Sequence, residues 1–441
     1  MKVKTPIPRE KGFDKTLSLI KEGFHFIPRR REKLGSDIFE TRLIGQKTVC
    51  MAGEEAARVF YDNDKFKRKG ALPKPLKKSL LGEGGVHEQD GEAHKHRKRM
   101  FLAMMTPERL EDMKRIAVEE LDNKAIEWGK KDEVVLLNEI QEVFAVAGMR
   151  WAGLPLKEEE IKERTQELVD MVDFGGSGVG SSAASFKKGV SARDSHEKWL
   201  QGIIKKVRAG KLEVHPNTAL YIVAHHTEQN GKKLDLKAAS VDLNNSYRPL
   251  IAAAYYIAFG VLALHENPEV TDKLKADKDN YSQMFAQEVR RYYPFAPAMA
   301  AKVKKNFEWH GYKFKKDMLV VLDLFGTNRH PDLWENADEF WPERFKDWKE
   351  SPFAFIPQGG GDHHAGHRCA GEWMTVMVMR SCFKYLTENI TYKVPEQDLE
   401  YDMTRIPTFP KSGLIISNVK RTTASPVDLM LHEQSQTVVK S

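Results

Sequence analysis

The chain has 441 residues, 41% of them hydrophobic and 10% aromatic, so it is long and apolar enough to bury a large core. Lys and Arg number 70 against 63 Asp and Glu, and because the net charge of +7 is spread along the chain, no nucleic-acid partner is expected. The 3 cysteines are too few for a disulfide framework and favour a reducing compartment.

The N-terminal segment and the apolar runs favour a cytoplasmic protein without membrane insertion. The opening MKVKTPIPREKGFDK has no apolar signal segment. The longest apolar run, at residues 250–264, is shorter than the roughly 18–20 residues that a membrane span needs. No long linker divides the chain, so we expect one compact unit over residues 1–420 and a polar, disordered tail over residues 421–441.

The predicted elements, taken in chain order, describe a mainly α fold with a small β region. Residues 41–50 are strand-like, and a helix begins at Thr106, whose hydroxyl suits an N-cap and which is followed by a proline. The pattern is then mostly helical up to Pro294, apart from a Gly/Ser-rich stretch at 174–185 that predicts a mobile loop. Alternating aromatic residues on both sides of Gly311 predict a β-hairpin.

A Gly-rich segment, FIPQGGGDHHAGHRCAGEWMTVMVMR at 355–380, places Cys369 directly before a predicted helix. A sulfur at a helix N-terminus, with Arg368 beside it, is stabilised as a thiolate, which acts as a metal ligand or a nucleophile. On this segment alone three interpretations are open: a small buried hydrophobic residue, a haem ligand or a zinc ligand. The zinc site would add three histidines, His363, His364 and His367.

Two further motifs favour haem. Glu288 and Arg291 lie three residues apart in AQEVRRYYPF, and WPERF supplies Arg344 further along the chain. An isolated E-x-x-R pair is usually a surface ion pair. In this order, with the cysteine loop after them, the motifs resemble the cytochrome P450 superfamily. The resemblance extends from about residue 10 to 420 and implies a cytochrome P450 fold, haem b on the Cys369 thiolate and a structural Glu–Arg–Arg network.

The same resemblance implies which side chains hold the haem propionates. In DGEAHKHRKRMF, His94 and Lys98 are spaced i, i+4, which places two possible cations on one helical face. Arg68, in FKRKGALP, is a third candidate. A pair of carboxylates needs such partners. Without the cysteine motif these residues would be interpreted as ordinary solvated charges.

The long central helix departs from the oxygen-activating members of the superfamily. Their acid–alcohol pair, which delivers protons, is missing from VDLNNSYRPLIAAAYYIAFG, and Arg248-Pro249 stands in its place. A proline inside a helix removes a backbone hydrogen bond, and a buried arginine needs an anion. Together with QGGGDHHAGHRCAGEW, RRYYPF, YRPLIA and VPEQDLE, this feature resembles the bacterial fatty-acid peroxygenases and, within them, the alkene-forming fatty-acid decarboxylases.

This narrower resemblance implies the chemistry. Arg248, beside Pro249, would bind the carboxylate of a long-chain fatty acid, hydrogen peroxide would be the co-substrate, and no redox partner would be needed. The substrate carboxylate would supply the acid–base group that the protein lacks. The products would be terminal alkenes, acids hydroxylated at the alpha or beta carbon, or both. The rival functions are a redox-partner-dependent fatty-acid monooxygenase and a haem- or fatty-acid-binding protein without turnover.

Three more residues are placed in the substrate site by the resemblance. His87, in GEGGVHEQDG, occupies a position where the alkene-forming relatives have histidine, and it is expected to influence product choice by supplying a proton near neutral pH. Leu81 stands where an aromatic residue is common in the group, so a mixture of products is expected. Phe295, in RRYYPF, is expected to line the substrate site.

Overall fold

The computed structural model describes residues 6–173 and 183–422. Most of the Gly/Ser-rich stretch and of the polar tail, residues 174–182 and 423–441, lies outside the described residues. The predictions of a mobile loop and of a disordered tail therefore lie largely outside the described residues.

Helices dominate the described residues. The α-helices are α1 (Thr16–Glu22), α2 (Phe26–Leu34), α3 (Glu54–Phe60), α4 (Lys74–Leu76), α5 (Gly91–Ala103), α6 (Pro107–Trp128), α7 (Leu136–Ala152), α8 (Ile161–Val172), α9 (Ala183–Arg208), α10 (Ala219–His225), α11 (Leu236–Tyr247), α12 (Pro249–Glu266), α13 (Pro268–Ala276), α14 (Tyr281–Tyr292), α15 (Leu324–Asn328) and α16 (Glu372–Glu388). A π-helical turn (Lys77–Leu81) and a 3-10 turn (Val86–Glu88) separate α4 from α5.

The strands form three small sheets. They are β1 (Ile38–Leu43), β2 (Gln46–Met51), β3 (Phe66–Lys67), β4 (Glu133–Val135), β5 (Ala298–Val303), β6 (Phe307–Trp309), β7 (Tyr312–Phe314), β8 (Leu319–Asp323), β9 (Ile390–Lys393) and β10 (Ile415–Arg421). The largest sheet has the order β1-β2-β8-β5-β3, with β2 and β8 parallel and the other pairs antiparallel. The others are β4-β10-β9 and the hairpin β6-β7.

Local sequence signals explain several of these elements. Thr106 caps α6 as predicted, because its hydroxyl accepts a hydrogen bond from the backbone N–H of Arg109 at 3.3 Å. The predicted hairpin around Gly311 is β6-β7. The strand-like residues 41–50 belong to two strands: Ile44 and Gly45 adopt positive φ, so the chain reverses between them and forms the β1-β2 hairpin.

The apolar run at 250–264 forms α12, which is buried on nearly every side and contacts α7, α14 and α16. Arg248 keeps right-handed helical dihedrals between α11 and α12. The continuous segment Leu236–Glu266 is long and apolar enough to cross a membrane, but 89% of its apolar window is buried inside the protein. Its apolarity is therefore accounted for by its place in the core.

A buried carboxylate holds α14 to the segment that precedes the cysteine loop. Glu288 accepts two hydrogen bonds from Arg291, at 2.7 and 2.8 Å, and one from Arg344 at 3.3 Å. Glu288 and Arg291 are completely buried. Arg291 also donates to the carbonyls of Asn328 and Ala337. The structure thus brings together the three side chains of the expected Glu–Arg–Arg network.

Replacing Glu288 by Ala should lower the free energy of unfolding by about 3–5 kcal/mol, because two buried guanidinium groups would lose their anion. Equilibrium unfolding in urea, followed by circular dichroism, measures this loss. Glu127→Ala is the matched control, since Glu127 makes an exposed ion pair with Lys124 on α6 and should cost less than about 1 kcal/mol. Equal losses for the two variants would contradict the role of Glu288.

Candidate active site

Cys369 lies in a braced loop three residues before α16. Its backbone N–H donates to the carbonyl of Gln358 at 3.2 Å, and the Gln358 amide donates to the Thr375 hydroxyl at 3.2 Å. Gly361 has φ of 82°, and a Cβ built on it would lie 2.9 Å from the Cβ of Tyr61. The glycine therefore permits both the backbone turn and the close packing that fix the loop.

A second buried carboxylate supports this loop from the start of α16. Glu372 is 1% exposed and accepts hydrogen bonds from Arg290 on α14 and from Arg368. Sequence reasoning missed this network, although an acid in the first helical turn after the cysteine and the second arginine of VRRYYPF were its signals. Arg368 was expected to stabilise the Cys369 thiolate directly, whereas its guanidinium donates to Glu372.

The protonation of Cys369 depends on opposing effects. Burial raises the pKa of its thiol, and the Glu372 carboxylate raises it further. The backbone N–H of Gly371, together with the positive charges of Lys98 and Arg290, lowers it. Cys369 is partly accessible, whereas Cys50 and Cys382 are buried and have pKa values raised by burial. Of the three cysteines, Cys369 is therefore the one that a metal can reach.

The histidines of this segment do not form a zinc site. His363 packs against His364, while His367 stacks on His94 with 3.9 Å between ring centroids. Across residues 6–173 and 183–422, no group of three or more His, Cys, Asp or Glu side chains is arranged to hold a metal ion. The geometry favours the haem interpretation of Cys369 over the zinc interpretation that the sequence left open.

The predicted pair His94 and Lys98 lies on one face of α5, but only one of the two is a cation at neutral pH. Burial is the main cause that lowers the pKa of His94 to about 3, so its imidazole is neutral. The Lys98 ammonium donates to the carbonyls of Gly366 and Arg368. Lys98 therefore fastens the cysteine loop to α5, a contact that the sequence did not predict.

Arg68 shows that the site fits an anionic cofactor. Its guanidinium lies over the ring of Phe60, with 4.3 Å to the centroid, and its Nε and Nη1 atoms are buried without a hydrogen-bond partner among the described residues. Burial lowers its pKa to about 10. A buried guanidinium without hydrogen bonds is costly, and the carboxylate of a haem propionate would satisfy it.

Arg248 lies in the junction between α11 and α12 and is 4% exposed. Its Nη2 atom donates to the carbonyl of Leu80 at 2.8 Å and to the Asn245 side-chain oxygen at 3.3 Å, while its Nε is buried without a partner. No carboxylate bonds to it in the described part of the chain. Burial, with the nearby charge of Arg193, lowers its pKa to about 9. Pro249 begins α12 directly after it.

His87 lies in the 3-10 turn at Val86–Glu88, and a buried carboxylate holds that turn. Asp242 of α11 accepts hydrogen bonds from the Val86 backbone N–H at 3.0 Å and from Arg97 of α5 at 2.6 Å. Burial, followed by the charge of Arg248, lowers the pKa of His87 to about 3. The expectation that its imidazole titrates near neutral pH is therefore corrected: the ring is neutral there.

The other two predicted substrate residues lie on different elements. Leu81 ends the π-helical turn, and its carbonyl accepts from the Asn245 side chain at 2.7 Å. Phe295 follows α14 and stacks on Tyr256 of α12, with 4.3 Å between ring centroids. The structure thus ties Leu81 to α11, which leads to Arg248, and places Phe295 against α12. Their contact with a substrate remains a prediction.

The accessible Cys369 in its braced loop, with two arginines whose buried guanidinium groups have no carboxylate bonded to them among the described residues, is the donor set of a haem-thiolate protein. Residues 254–416 match the family "Cytochrome P450". A solved structure of cytochrome P450EX alpha with myristic acid is 41% identical and covers 95% of this chain and 100% of its own, with a TM-score of 0.90.

Two further solved structures are similar to this chain over most of its length. A variant of cytochrome P450SP alpha is 40% identical and covers 93% of this chain and 100% of its own, with a TM-score of 0.90. A variant of cytochrome P450 OleT in complex with arachidonic acid is 37% identical and covers 95% of this chain and 99% of its own, with a TM-score of 0.92.

The chain belongs to the cytochrome P450 family. It is an oxidoreductase related to the fatty-acid peroxygenases of that family, and haem on a cysteine thiolate is the cofactor that the family implies. The resemblances seen in the sequence, the mainly α fold with a small β region and the haem cofactor are thereby confirmed. The roles of individual site residues remain predictions.

Replacing Cys369 by Ala should abolish the strongly red-shifted Soret band of the reduced carbonyl complex, because that band requires a thiolate on the iron. Absorption spectroscopy of the reconstituted protein measures it. Cys382→Ala is the matched control: Cys382 is buried inside α16 and should leave the band unchanged. Retention of the band in Cys369→Ala would disprove the assignment.

Proposed function

We propose that this protein uses hydrogen peroxide to oxidise long-chain fatty acids next to their carboxylate, releasing terminal alkenes, alpha- or beta-hydroxy acids, or both. The observation that carries the proposal is the buried charge of Arg248, which has no carboxylate partner among the described residues. Two of the related structures hold myristic and arachidonic acid. A fatty-acid carboxylate is the anion that this chain's Arg248 lacks.

The Arg248 guanidinium keeps a buried donor for a carboxylate. Its Nη2 atom donates to Leu80 and Asn245, whereas its Nε is buried without a hydrogen-bond partner among the described residues. A guanidinium directs its N–H groups in one fixed plane, so it sets the orientation of the bound acid as well as its affinity. Anchoring at this end directs oxidation to the carbons beside the carboxylate.

Four side chains would hold the haem: Cys369 through its thiolate, and Arg68, His94 and Lys98 at the propionates. The haem would supply the oxidising chemistry, and a thiolate ligand would favour O–O cleavage. The protein offers no acid–alcohol pair on α11 or α12 at the place where Arg248 and Pro249 stand. The carboxylate held by Arg248 therefore serves as the base and acid that moves a proton between the two peroxide oxygens.

His87 is proposed to influence which product leaves. Because its pKa lies far below neutral, it acts as a neutral imidazole that donates one N–H and accepts at its other nitrogen. The Asp242 bond to the Val86 N–H holds the backbone turn that carries this imidazole. Leu81 offers no aromatic face for the ring, so we expect alkene and beta-hydroxy acid together rather than alkene alone.

The proposed location is the cytoplasm, because all three cysteines are free thiols and a reducing compartment keeps them so. The proposed unit of function is the haem domain over residues 1–420. These proposals rest on the chemistry of the described residues and on the relatives, and on no property of the tail.

One experiment separates the three candidate functions. Purified haem-loaded protein is mixed with tetradecanoic to eicosanoic acids and hydrogen peroxide without a reductase, and products are identified by mass spectrometry. Alkenes or hydroxy acids support the proposal. Turnover only with a reductase and NAD(P)H indicates a monooxygenase, and binding without product under either condition indicates a binding protein.

Replacing Arg248 by Leu should weaken tetradecanoic acid binding at least about 30-fold and abolish peroxide-driven turnover. The free protein should stay as stable as the wild type, because the substitution removes a buried charge that has no carboxylate partner. Spectral titration and thermal unfolding measure the two effects. Arg248→Lys keeps the charge but not the planar guanidinium, so its affinity for the acid should lie between those of the wild type and Arg248→Leu. Wild-type affinity in Arg248→Leu would show that Arg248 does not bind the substrate carboxylate.

Replacing His87 by Gln should lower the fraction of alkene among the products. Between pH 5 and pH 9 that fraction should vary little in the wild type, because a group with a pKa of about 3 does not change its protonation there. Gas chromatography of products at several pH values measures both effects. An unchanged alkene-to-alcohol ratio in His87→Gln, with haem content intact, would show that His87 does not control the branch.

A further inference from the structure

A second arginine, Arg193 of α9, is buried beside the anchor and is not explained by the function proposed so far. It is 2% exposed, and its guanidinium donates to the carbonyl of Ser79 at 2.8 Å and to that of Leu80 at 2.7 Å. Its Nη1 donates to Glu197, one turn further along α9, at 2.6 Å. Arg193 thus clamps the end of the π-helical turn to α9.

Both groups that accept hydrogen bonds from Arg248 also accept them from Arg193. The Leu80 carbonyl accepts from the two guanidinium groups at 2.7 and 2.8 Å, and the Asn245 oxygen accepts from them at 3.4 and 3.3 Å. The amide nitrogen of Asn245 meanwhile donates to the carbonyl of Leu81. The position of the Arg248 guanidinium is therefore set by a carbonyl that Arg193 itself holds.

The packing around this arrangement leaves little freedom. A Cβ built on Gly82 would lie 2.9 Å from Nη1 of Arg193 and 3.1 Å from a carboxylate oxygen of Glu197. A Cβ on Gly189 of α9 would lie 2.5 Å from the hydroxyl of Ser79. Two glycines thus allow α9 and the π-helical turn to meet at backbone distance, which holds the Leu80 carbonyl in place.

We call the group formed by Arg193, Glu197, Asn245 and Arg248 the arginine cluster. Its charges do not balance. It contains two guanidinium groups and one carboxylate, all buried, so one positive charge is left over for a ligand. Since Glu197 bonds to Arg193, the surplus lies on Arg248, where a carboxylate ligand is proposed to bind.

We propose that Arg193 is a positioning residue that sets where Arg248 presents its free N–H groups, and thereby which carbon of the fatty acid is oxidised. This inference rests on the proposed function of Arg248 as the carboxylate anchor. A lateral shift of the Leu80 carbonyl would move the Arg248 guanidinium, and the bound chain would slide by part of a carbon–carbon bond. The ratio of alpha to beta oxidation should therefore change when the Arg193 contacts are lost.

The main test is a charge-matched double variant, Arg193→Gln with Glu197→Gln. It removes one positive and one negative charge, so the cluster keeps its surplus of one positive charge while it loses the clamp. Binding of tetradecanoic acid should weaken about tenfold, and binding of tetradecan-1-ol should change less than twofold, both measured by calorimetric titration of the haem-loaded protein. The alpha-to-beta product ratio should change at least twofold.

Two single variants sharpen the test. Glu197→Gln keeps the Arg193 bonds to Ser79, Leu80 and Asn245 and adds one net positive charge, so the acid should bind at least as tightly as in the wild type. Arg193→Lys keeps the charge, but its ammonium cannot bond to all these acceptors. It should therefore shift the alpha-to-beta product ratio in the same direction as the double variant. This variant tests the proposal even if the double variant does not hold haem.

A remote pair provides the matched control. Arg109 is buried at the start of α6, donates to the carbonyl of Trp151 and pairs with Asp112 three residues further on. Arg109→Gln with Asp112→Asn removes the same kinds of groups at a distance from the cluster. It should lower stability without changing the preference for acid over alcohol or the alpha-to-beta ratio.

The outcomes separate the inference from the function on which it rests. If Arg248→Leu binds the acid like the wild type, the proposed anchor is wrong. If Arg248→Leu loses binding but the double variant keeps wild-type affinity and product ratio, Arg193 has no positioning role. Equal weakening for acid and alcohol, with an unchanged ratio, would make Arg193 a fold clamp only and overturn the inference.

Discussion

An arginine charge buried without a carboxylate partner, at the junction of α11 and α12, is the constraint on which the described site depends. Burying a charge is unfavourable unless it is paired, so the fold surrounds Arg248 with a carbonyl and an amide oxygen that partly solvate it. These acceptors come from the π-helical turn and from α11 itself. The remaining positive charge gives the site its preference for an anion before any ligand arrives.

Around the cysteine loop, by contrast, the buried carboxylates are paired with arginines. Glu288 accepts from Arg291 and Arg344, and Glu372 accepts from Arg290 and Arg368. Such pairs add little net stability compared with apolar packing, but they specify geometry. The loop that carries the cysteine is therefore held by paired ions, whereas Arg248, the proposed anchor, has no carboxylate partner among the described residues.

Short-range patterns predicted much of the fold and the type of site. The Thr106 cap, the β6-β7 hairpin and the cysteine before α16 depend on neighbouring residues, which a single sequence displays. Arg193, Asn245 and Glu372 escaped prediction because each also bonds to a group far away along the chain, and a polar residue in a helix usually faces solvent. The distant partners are Ser79 and Leu80 for Arg193, Leu81 for Asn245 and Arg290 for Glu372. The neutral state of His87 was also out of reach, since it follows from burial and from the nearby charge of Arg248.

Helix α5 connects the two sides of the site through adjacent residues. Arg97 bonds to Asp242 on the helix that leads to Arg248, while Lys98, the next residue, bonds to carbonyls of the cysteine loop. Since both side chains leave adjacent positions of one rigid helix, α5 fixes the helix that leads to Arg248 relative to the loop that carries Cys369. With the carboxylate of a fatty acid at Arg248, as proposed, the carbon that reacts would be counted from the carboxylate rather than from the methyl end of the substrate.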